Sequence, residues 1–162
     1  MAKKLTIITH PHPTLRKKAE TLDLHDIPKL KGFIDDMKKT MHEANGIGLA
    51  APQVDVSRRI VVISTKDGDI ALINPEISKK SFKKEEGEEG CLSIPGVFGL
   101  VKRHYSITVQ AYTEQAKKIK FTASGLFARV IQHEVDHING ILFIDRTKKI
   151  MTGDNTDVTQ NI

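Results

Sequence analysis

The chain has 162 residues, of which 39% are hydrophobic and 28% charged, and its formal net charge is +5. This length and composition fit one globular domain with its own core. No apolar run approaches the roughly 18 residues that a membrane-spanning helix needs, so we expect no membrane association. Cys91 is the only cysteine, which excludes an intramolecular disulfide and favours a reducing compartment. Tryptophan is absent and aromatic residues are few, so a base-stacking surface for nucleic acid is not expected.

The first predicted element is a helix in "DIPKLKGFIDDMKKTMHEANG", residues 26–46. Asp26 is suited to cap it, Pro28 to its first turn and Gly46 to its end. Its apolar residues recur on one helical face, which we expect to pack in the core: Leu30, Phe33, Ile34, Met37 and Met41.

Strand patterns come after the helix. "RRIVVIST" (58–65) and "IALINP" (70–75) are apolar runs, and we expect Pro75 to end the second. "YSITVQAY" (105–112) and "KKIKFTA" (117–123) flank a short connection and predict a hairpin. "KKEEGEEG" (83–90) is charged and rich in glycine, so we predict an exposed loop that leads into Cys91.

A second helical pattern runs from about Ser124 to Gly140. Together these elements predict an α+β fold with a mostly antiparallel sheet and two principal helices. We expect a single domain over residues 1–147, followed by a polar and flexible C-terminal tail over residues 148–162.

The second helix carries His133-Glu134-Val135-Asp136-His137, an H-E-x-x-H motif. Residues four apart lie one turn above each other, so both histidines can face one cation. Glu134 falls in the apolar stripe of the helix, where an uncompensated carboxylate would be costly to bury. A divalent metal with a water molecule would compensate it. Two core histidines with a partly exposed glutamate are the alternative, and a zinc metallopeptidase would carry the same motif.

A third ligand is needed, because catalytic metal sites usually use three protein ligands and keep one position open. Cys91 in "EEGCLSIPG" can supply a thiolate, a strong ligand for zinc or ferrous iron, and Gly90 lets the backbone come close to the ion. A buried, inert thiol is an equally good interpretation of this residue alone.

The glycine-rich segment "GIGLAAPQ", residues 46–53, formally matches a dinucleotide-binding fingerprint. That fingerprint requires a strand before it and a helix after it, whereas here a helix precedes it and Pro52 would interrupt a helix after it. A loop along which an extended ligand lies is the better interpretation.

These three segments together resemble the peptide deformylase family, whose motifs are G-x-G-L-A-A-x-Q, E-G-C-L-S and Q-H-E-x-D-H. They correspond here to residues 46–53, 89–93 and 132–137, and the similarity extends over nearly the whole chain. The resemblance implies antiparallel sheets around a central helix that bears the H-E-x-x-H motif. It also implies hydrolysis of the N-formyl group on the formyl-methionine of nascent polypeptides, with release of formate. A different metallohydrolase and an inactive relative are the competing hypotheses.

The resemblance also implies the roles of individual residues. Cys91, His133 and His137 would bind Fe²⁺, for which zinc, nickel or cobalt can substitute. Glu134 would be the general base and then the acid, while Gln53 and the backbone N–H of Leu92 would hold the developing oxyanion. The expected substrate-binding residues are Gly46, Ile47, Gly48, Gly90, Leu126 and Val130.

Several further expectations concern partners and neighbouring residues. The chain is expected to be a monomer of the bacterial cytoplasm, less so of an organelle, that meets the nascent formyl-Met peptide in transient association with the ribosome. The basic C-terminal docking helix of many bacterial relatives is not expected here. Arg129 is placed either at the pocket mouth or in solvent, and Asp136 is expected to form an ion pair, with Arg103 as one possible partner.

Overall fold

The structure, a computed structural model, describes residues 1–153. Over this range two α-helices and eight strands form, which confirms the predicted α+β class. The helices are α1 (Lys31–Glu43) and α2 (Gly125–Ile138). The strands are β1 (Gly48–Ala50), β2 (Ile60–Thr65), β3 (Gly68–Lys80), β4 (Lys84–Cys91), β5 (Ile94–His104), β6 (Ser106–Tyr112), β7 (Lys118–Ser124) and β8 (Ile150–Thr152).

Five strands form one antiparallel sheet, sheet A, in the order β1-β2-β3-β6-β7. The predicted β6–β7 hairpin is confirmed, with Ser106 opposite Ser124 and Tyr112 opposite Lys118. One face of sheet A packs on α2, with Ile107, Val109 and Ile131 buried between them. α1 lies against a second apolar cluster, to which it contributes Met37 and Met41.

The remaining three strands form a smaller antiparallel sheet, sheet B, in the order β4-β5-β8. α2 lies between the two sheets, because its apolar side packs on sheet A and its charged side chains bond to residues of sheet B. This arrangement confirms the prediction of antiparallel sheets around a central helix. Among the described residues, no helix combines the length and the apolar character that crossing a membrane requires.

The prediction of an exposed loop over "KKEEGEEG" is wrong, because Lys84–Cys91 is strand β4. It pairs with β5 along almost its whole length, from Lys84 opposite His104 to Gly90 opposite Phe98. β4 has no alternation of apolar and polar residues, which is the pattern by which strands are recognised in a sequence. Its buried residue Glu89 is instead satisfied by ionic partners on β5 and α2.

Pro75 does not end β3, which continues to Lys80. The β3–β6 register shifts between Ile73 and Glu76, and Asn74 has a left-handed φ of 50°. A proline is tolerated at such an irregularity because the ladder needs no N–H there.

The helix start was also predicted wrongly. A 3₁₀ helix over Leu24–Leu30, capped by Asp23, precedes α1, and it contains both Asp26 and Pro28. The α-helix itself begins at Lys31.

The predicted tail needs a correction as well. Ile150–Thr152 forms β8 and pairs with β5, so this part of the segment 148–162 belongs to sheet B. The part of that prediction from residue 154 onward lies outside the described residues.

Candidate active site

Three potential metal ligands converge where α2 meets the end of β4. His133 and His137 are one turn apart on α2, and Cys91 is the last residue of β4. Their donor atoms all lie within 4.8 Å of one another, and the Cys91 Sγ is 3.2 Å from the His137 Nε2. The structure therefore brings together the three residues that were expected to bind the metal.

His133 is oriented by Glu89 of β4. The His133 Nδ1 lies 2.8 Å from the Glu89 Oε1, so a proton on Nδ1 leaves the Nε2 lone pair available for a cation. Arg103 donates to both oxygens of Glu89, at 2.9 and 2.8 Å, and a second guanidinium, that of Arg129, lies 2.7 Å from the same carboxylate. The Glu89 carboxylate therefore orients the His133 ring and is itself held in place by Arg103 and Arg129.

This buried ionic network continues along α2 to Asp136, which lies on the same side of the helix as Arg129 and His133. Arg103 also bonds to Asp136 at 2.6 Å, and Arg146 bonds to both oxygens of Asp136. The ion pair expected for Asp136 is confirmed, with Arg103 as its partner. Arg129 is not solvated, since its guanidinium also donates to the carbonyls of Glu85 and Val101. The network ties sheet B to the helix that carries the histidines.

Burial and charge shift the acidity of these groups in opposite directions. Burial disfavours the charged forms of Glu89 and His133, but hydrogen bonds outweigh it: those from Arg103 and His133 lower the pKa of Glu89 to about 2. Those to Cys91 and Glu89 raise the pKa of His133 to about 10. The same negative surroundings that retain a proton on His133 would attract a divalent cation, which competes with the proton for that nitrogen.

Burial dominates the acidity of the other two groups of the motif. It lowers the pKa of His137 well below its ordinary value, so this imidazole is neutral and its Nε2 can act as a ligand. Burial also raises the pKa of Glu134 to about 7, which is the range suited to a group that accepts and returns a proton.

Glu134 lies against the glycine-rich segment. It is only 4% exposed, and a Cβ placed on Gly48 would come within 2.5 Å of the Glu134 Oε1. Only glycine leaves room for the carboxylate at this position. The Glu134 Oε2 is buried and has no hydrogen-bond partner among the described residues. A water molecule or a substrate atom would satisfy it.

The side-chain amide of Gln53 lies beside Cys91, one of the three potential metal ligands. The Gln53 Oε1 accepts a hydrogen bond from the Ala50 N–H at 2.9 Å, which orients the side chain. Its Nε2 then lies 3.2 Å from the Ser93 Oγ and 3.6 Å from the Cys91 Sγ. This N–H donor therefore points toward the ligand cluster.

A cavity of about 530 Å³ opens above the cluster, between the glycine-rich segment, sheet B and α2. All the expected substrate-binding and catalytic residues line it, and His137 lies beneath it, almost fully buried. The predicted lining residues are Gly46, Ile47, Gly48, Gln53, Gly90, Leu92, Leu126, Val130 and Glu134. Two features were not predicted: Phe98 also lines the cavity, and Glu89 orients His133, although Glu89 belongs to the E-G-C-L-S motif.

The residues present fit a divalent cation. A thiolate and two imidazoles suit zinc or ferrous iron, and a site with three protein ligands leaves a position open for water or substrate. Glu134, whose Oε2 has no hydrogen-bond partner within residues 1–153, lines the cavity beside this set. Fold and site together are those of a metal-dependent hydrolase that works on a ligand lying in an open cleft.

Comparisons with known proteins identify the family. The protein-family model described as Polypeptide deformylase matches residues 4–152. Peptide deformylase 1 of Bacillus subtilis is 44% identical over 150 residues, which cover 91% of this chain and 92% of the relative. A peptide deformylase of Halothermothrix orenii is 47% identical over 140 residues, covering 85% and 90%.

Solved structures agree. The crystal structure of peptide deformylase from Thermotoga maritima is similar with a TM-score of 0.85 at 39% identity, over 90% of this chain and 98% of that one. A class I type b peptide deformylase from Acinetobacter baumannii, solved with Met-Ala-Ser bound, gives a TM-score of 0.86 at 35% identity, over 90% and 99%. The chain belongs to the polypeptide deformylase family, and it is a hydrolase that removes the N-formyl group from nascent polypeptides.

Proposed function

We propose that the chain deformylates N-terminal formyl-methionine through Cys91, His133 and His137 as metal ligands and Glu134 as the proton carrier. The observation that carries this assignment is the convergence of three donor atoms within 4.8 Å beside the buried Glu134. We propose Fe²⁺ as the native metal, with zinc, nickel or cobalt able to substitute. The mixed thiolate and imidazole donor set supports this choice.

A divalent cation held by these residues would lower the pKa of a water molecule and polarise the formyl carbonyl. Glu134 would take the proton of the attacking water, which its raised pKa and its position against Gly48 favour. It would then return that proton to the departing amine of methionine as formate is released. Gln53 and the backbone N–H of Leu92 would donate to the oxygen on which negative charge develops.

The substrate would lie extended in the cavity. Its backbone would pair with the segment Gly46–Gly48 on one side and with the β4 edge near Gly90 on the other, as an added strand. Ile47, Leu126 and Val130 would form the wall of the methionine pocket, which agrees with the apolar character of these cavity-lining side chains.

The proposal extends to organisation and location. We propose that residues 1–152 form the catalytic domain, rather than residues 1–147 as predicted, because β8 pairs within sheet B. We also propose a monomer in the bacterial cytoplasm that meets nascent chains in transient association with the ribosome. The bacterial relatives support the location.

The decisive experiment measures formate release from formyl-Met-Ala-Ser by protein purified without oxygen, together with its metal content. A chelated aliquot should lose turnover and regain it with Fe²⁺ or Ni²⁺, and exposure to peroxide should inactivate the iron form but not the nickel form. Absence of formate from protein that holds one equivalent of metal would refute the proposed activity. Equal sensitivity of both metal forms to peroxide would refute the assignment of iron chemistry while leaving the activity intact.

A further inference from the structure

The segment that leads from β3 in sheet A to β4 in sheet B is basic and has one aromatic residue at its centre. We call residues 79–84, "KKSFKK", the β3–β4 tip. Phe82 is fully exposed, at 104% of its reference area, and the four lysines around it are exposed as well. A single exposed apolar side chain is ordinary on a protein surface. What distinguishes Phe82 is that its ring lies among four exposed cations, and this combination carries the inference.

The tip is held in place, so the exposure of Phe82 is not a result of a loose loop. Before Phe82, the Ser81 N–H donates to the Ser106 carbonyl at 2.8 Å, and the Ser81 carbonyl accepts from the His104 Nδ1 at 2.7 Å. After it, the Tyr105 N–H donates to the Lys83 carbonyl at 3.0 Å. Both ends of the tip are therefore fastened to the β5–β6 connection, and Phe82 projects from a rigid base.

The charge of the tip is positive and mostly uncompensated. Lys83 lies 3.3 Å from Glu85 and 4.3 Å from the centre of the Tyr105 ring. Lys79, Lys80 and Lys84 form no ion pair with any residue in the range 1–153. Glu85 and Glu86 come directly after the tip and reduce, but do not cancel, the charge of four lysines. Such a surface favours a polyanion.

A small cleft lies between the base of the tip and the substrate cavity. Tyr105, at the base of the tip, lines this cleft of about 180 Å³ together with Leu126 and Arg129. The same Leu126 and Arg129 line the catalytic cavity. A partner that covers both the tip and this cleft would therefore reach the side of the cavity mouth.

We propose that the β3–β4 tip binds RNA, with the lysines on backbone phosphates and Phe82 stacked on a base. An exposed ring flanked by cations is the combination by which proteins hold single-stranded nucleic acid. Insertion into a lipid surface would need several neighbouring apolar side chains, whereas Phe82 has only lysines and Ser81 beside it in the tip. The small number of aromatic residues predicted no base-stacking surface, but one fully exposed ring among four lysines is enough for a single stacking contact.

The RNA in question would be that of the ribosome, from which the substrate emerges, and this part of the inference rests on the proposed function. Contact through the tip would hold the cavity mouth beside the particle that delivers nascent chains. It would raise the local concentration of substrate without any change in the catalytic residues.

The test is fluorescence anisotropy of metal-loaded, full-length protein with a labelled single-stranded RNA about 20 nucleotides long, titrated at several salt concentrations. Four phosphate contacts predict a slope of about −3 for log K against log salt. Replacing Lys79, Lys80, Lys83 and Lys84 by Gln should remove most of this slope and of the binding. Phe82→Ala should weaken binding about tenfold at constant slope, since stacking is insensitive to salt.

A charge-matched control set lies at the other end of sheet A, and each of its four lysines forms an ion pair. Lys29, Lys31, Lys38 and Lys39 lie in or next to α1, and Lys38 bonds to Glu114 in the β6–β7 turn, at the end of β6 opposite Ser106. Replacing these four by Gln changes the net charge equally and should leave RNA binding within about twofold. Leu24→Ala is the control for loss of an exposed apolar side chain.

Three results would overturn the inference: no RNA binding at low salt, equal loss in the tip and control variants, or tighter binding to phosphatidylglycerol vesicles than to RNA. Deformylation of formyl-Met-Ala-Ser is measured in parallel and should be unchanged in all tip variants. RNA binding by a protein that releases no formate would separate failure of the proposed function from failure of this inference. Slower deformylation of ribosome-bound nascent chains in the tip variants alone would support it in full.

Discussion

The two sheets that enclose α2 are built on opposite principles. Sheet A meets the helix with apolar side chains. Ile107 and Val109 of the sheet pack in one buried cluster with Ile131 of the helix. Sheet B meets the same helix with charges, through Glu89 and Arg103. One helix therefore has an apolar side that is fixed by packing and an ionic side that is fixed by hydrogen bonds.

The two sheets therefore contribute differently to stability and to the orientation of the site residues. An apolar face gives stability that depends on area and is indifferent to direction. A network of buried ions contributes little net stability but fixes the direction of each group, here the ring of His133. We expect changes in sheet A to alter folding alone, and changes in sheet B to alter both folding and catalysis.

The largest expected effect lies between the two sheets. Glu134→Gln keeps the shape of the side chain but removes its ability to accept a proton, so kcat should fall about 1,000-fold. Metal content should match that of the wild type, since Glu134 is not a proposed ligand. The melting temperature at neutral pH should be no lower than that of the wild type, because burial of the charged carboxylate, which raises the pKa of Glu134, is removed. A variant that keeps more than about a tenth of the wild-type turnover would exclude Glu134 as the base.

Glu89→Gln tests the ionic side. It leaves Arg103 and Arg129 without their shared carboxylate in a buried site, which should destabilise the fold by about 3 kcal/mol. Because His133 loses its acceptor, metal affinity should fall about 10-fold to 100-fold. Chemical denaturation and competition with a chelator measure the two effects. Loss of stability with unchanged metal affinity would show that Glu89 does not orient His133.

Ile107→Val tests the apolar side. Removing one methylene from this buried position should lower the free energy of unfolding by about 1 kcal/mol. The value of kcat/KM per folded molecule should not change, because Ile107 packs in the apolar cluster between sheet A and α2 and does not line the cavity. A reduced kcat/KM in fully folded protein would break the separation between the two sheets.

The smallest effect is expected for a surface ion pair. Lys38 and Glu114 are 2.7 Å apart, with their side chains about one-fifth exposed. Lys38→Gln should cost about 0.5 kcal/mol at low salt and less at high salt. A loss as large as that for Glu89→Gln would mean that charges near sheet A are as important as those in sheet B.

The same contrast explains what the sequence could predict. Four of the five strands of sheet A were predicted in whole or in part from their sequence patterns, and the helix of the motif from its period. β1 was not, because residues 46–53 were predicted to be a loop. β4 was missed because its sequence contains glutamates and glycines, and burial of Glu89 depends on Arg103, 14 residues away. A pattern within one segment does not reveal a partner in another.

The residues that converge at the candidate site were identified more completely than the strands around it. Metal ligands and proton carriers belong to few residue types at fixed spacings, so His133, Glu134 and His137 were identified as candidates from the helix alone. Cys91 required the family resemblance, because a lone cysteine has an equally good interpretation as an inert thiol. The orientation of His133 by Glu89 is a matter of geometry, and only the structure gives it.

The contact between Gly48 and Glu134 limits how the cavity can change. A side chain at residue 48 would displace the carboxylate, since its Cβ alone would lie 2.5 Å from the Glu134 Oε1. Substitution of Gly48 therefore cannot block an inhibitor that lies along the backbone of Gly46–Gly48 without also displacing Glu134 and reducing activity. Resistance to such a compound would have to arise elsewhere in the cavity, at a side chain such as Phe98, which lines the cavity and has no proposed role in the reaction.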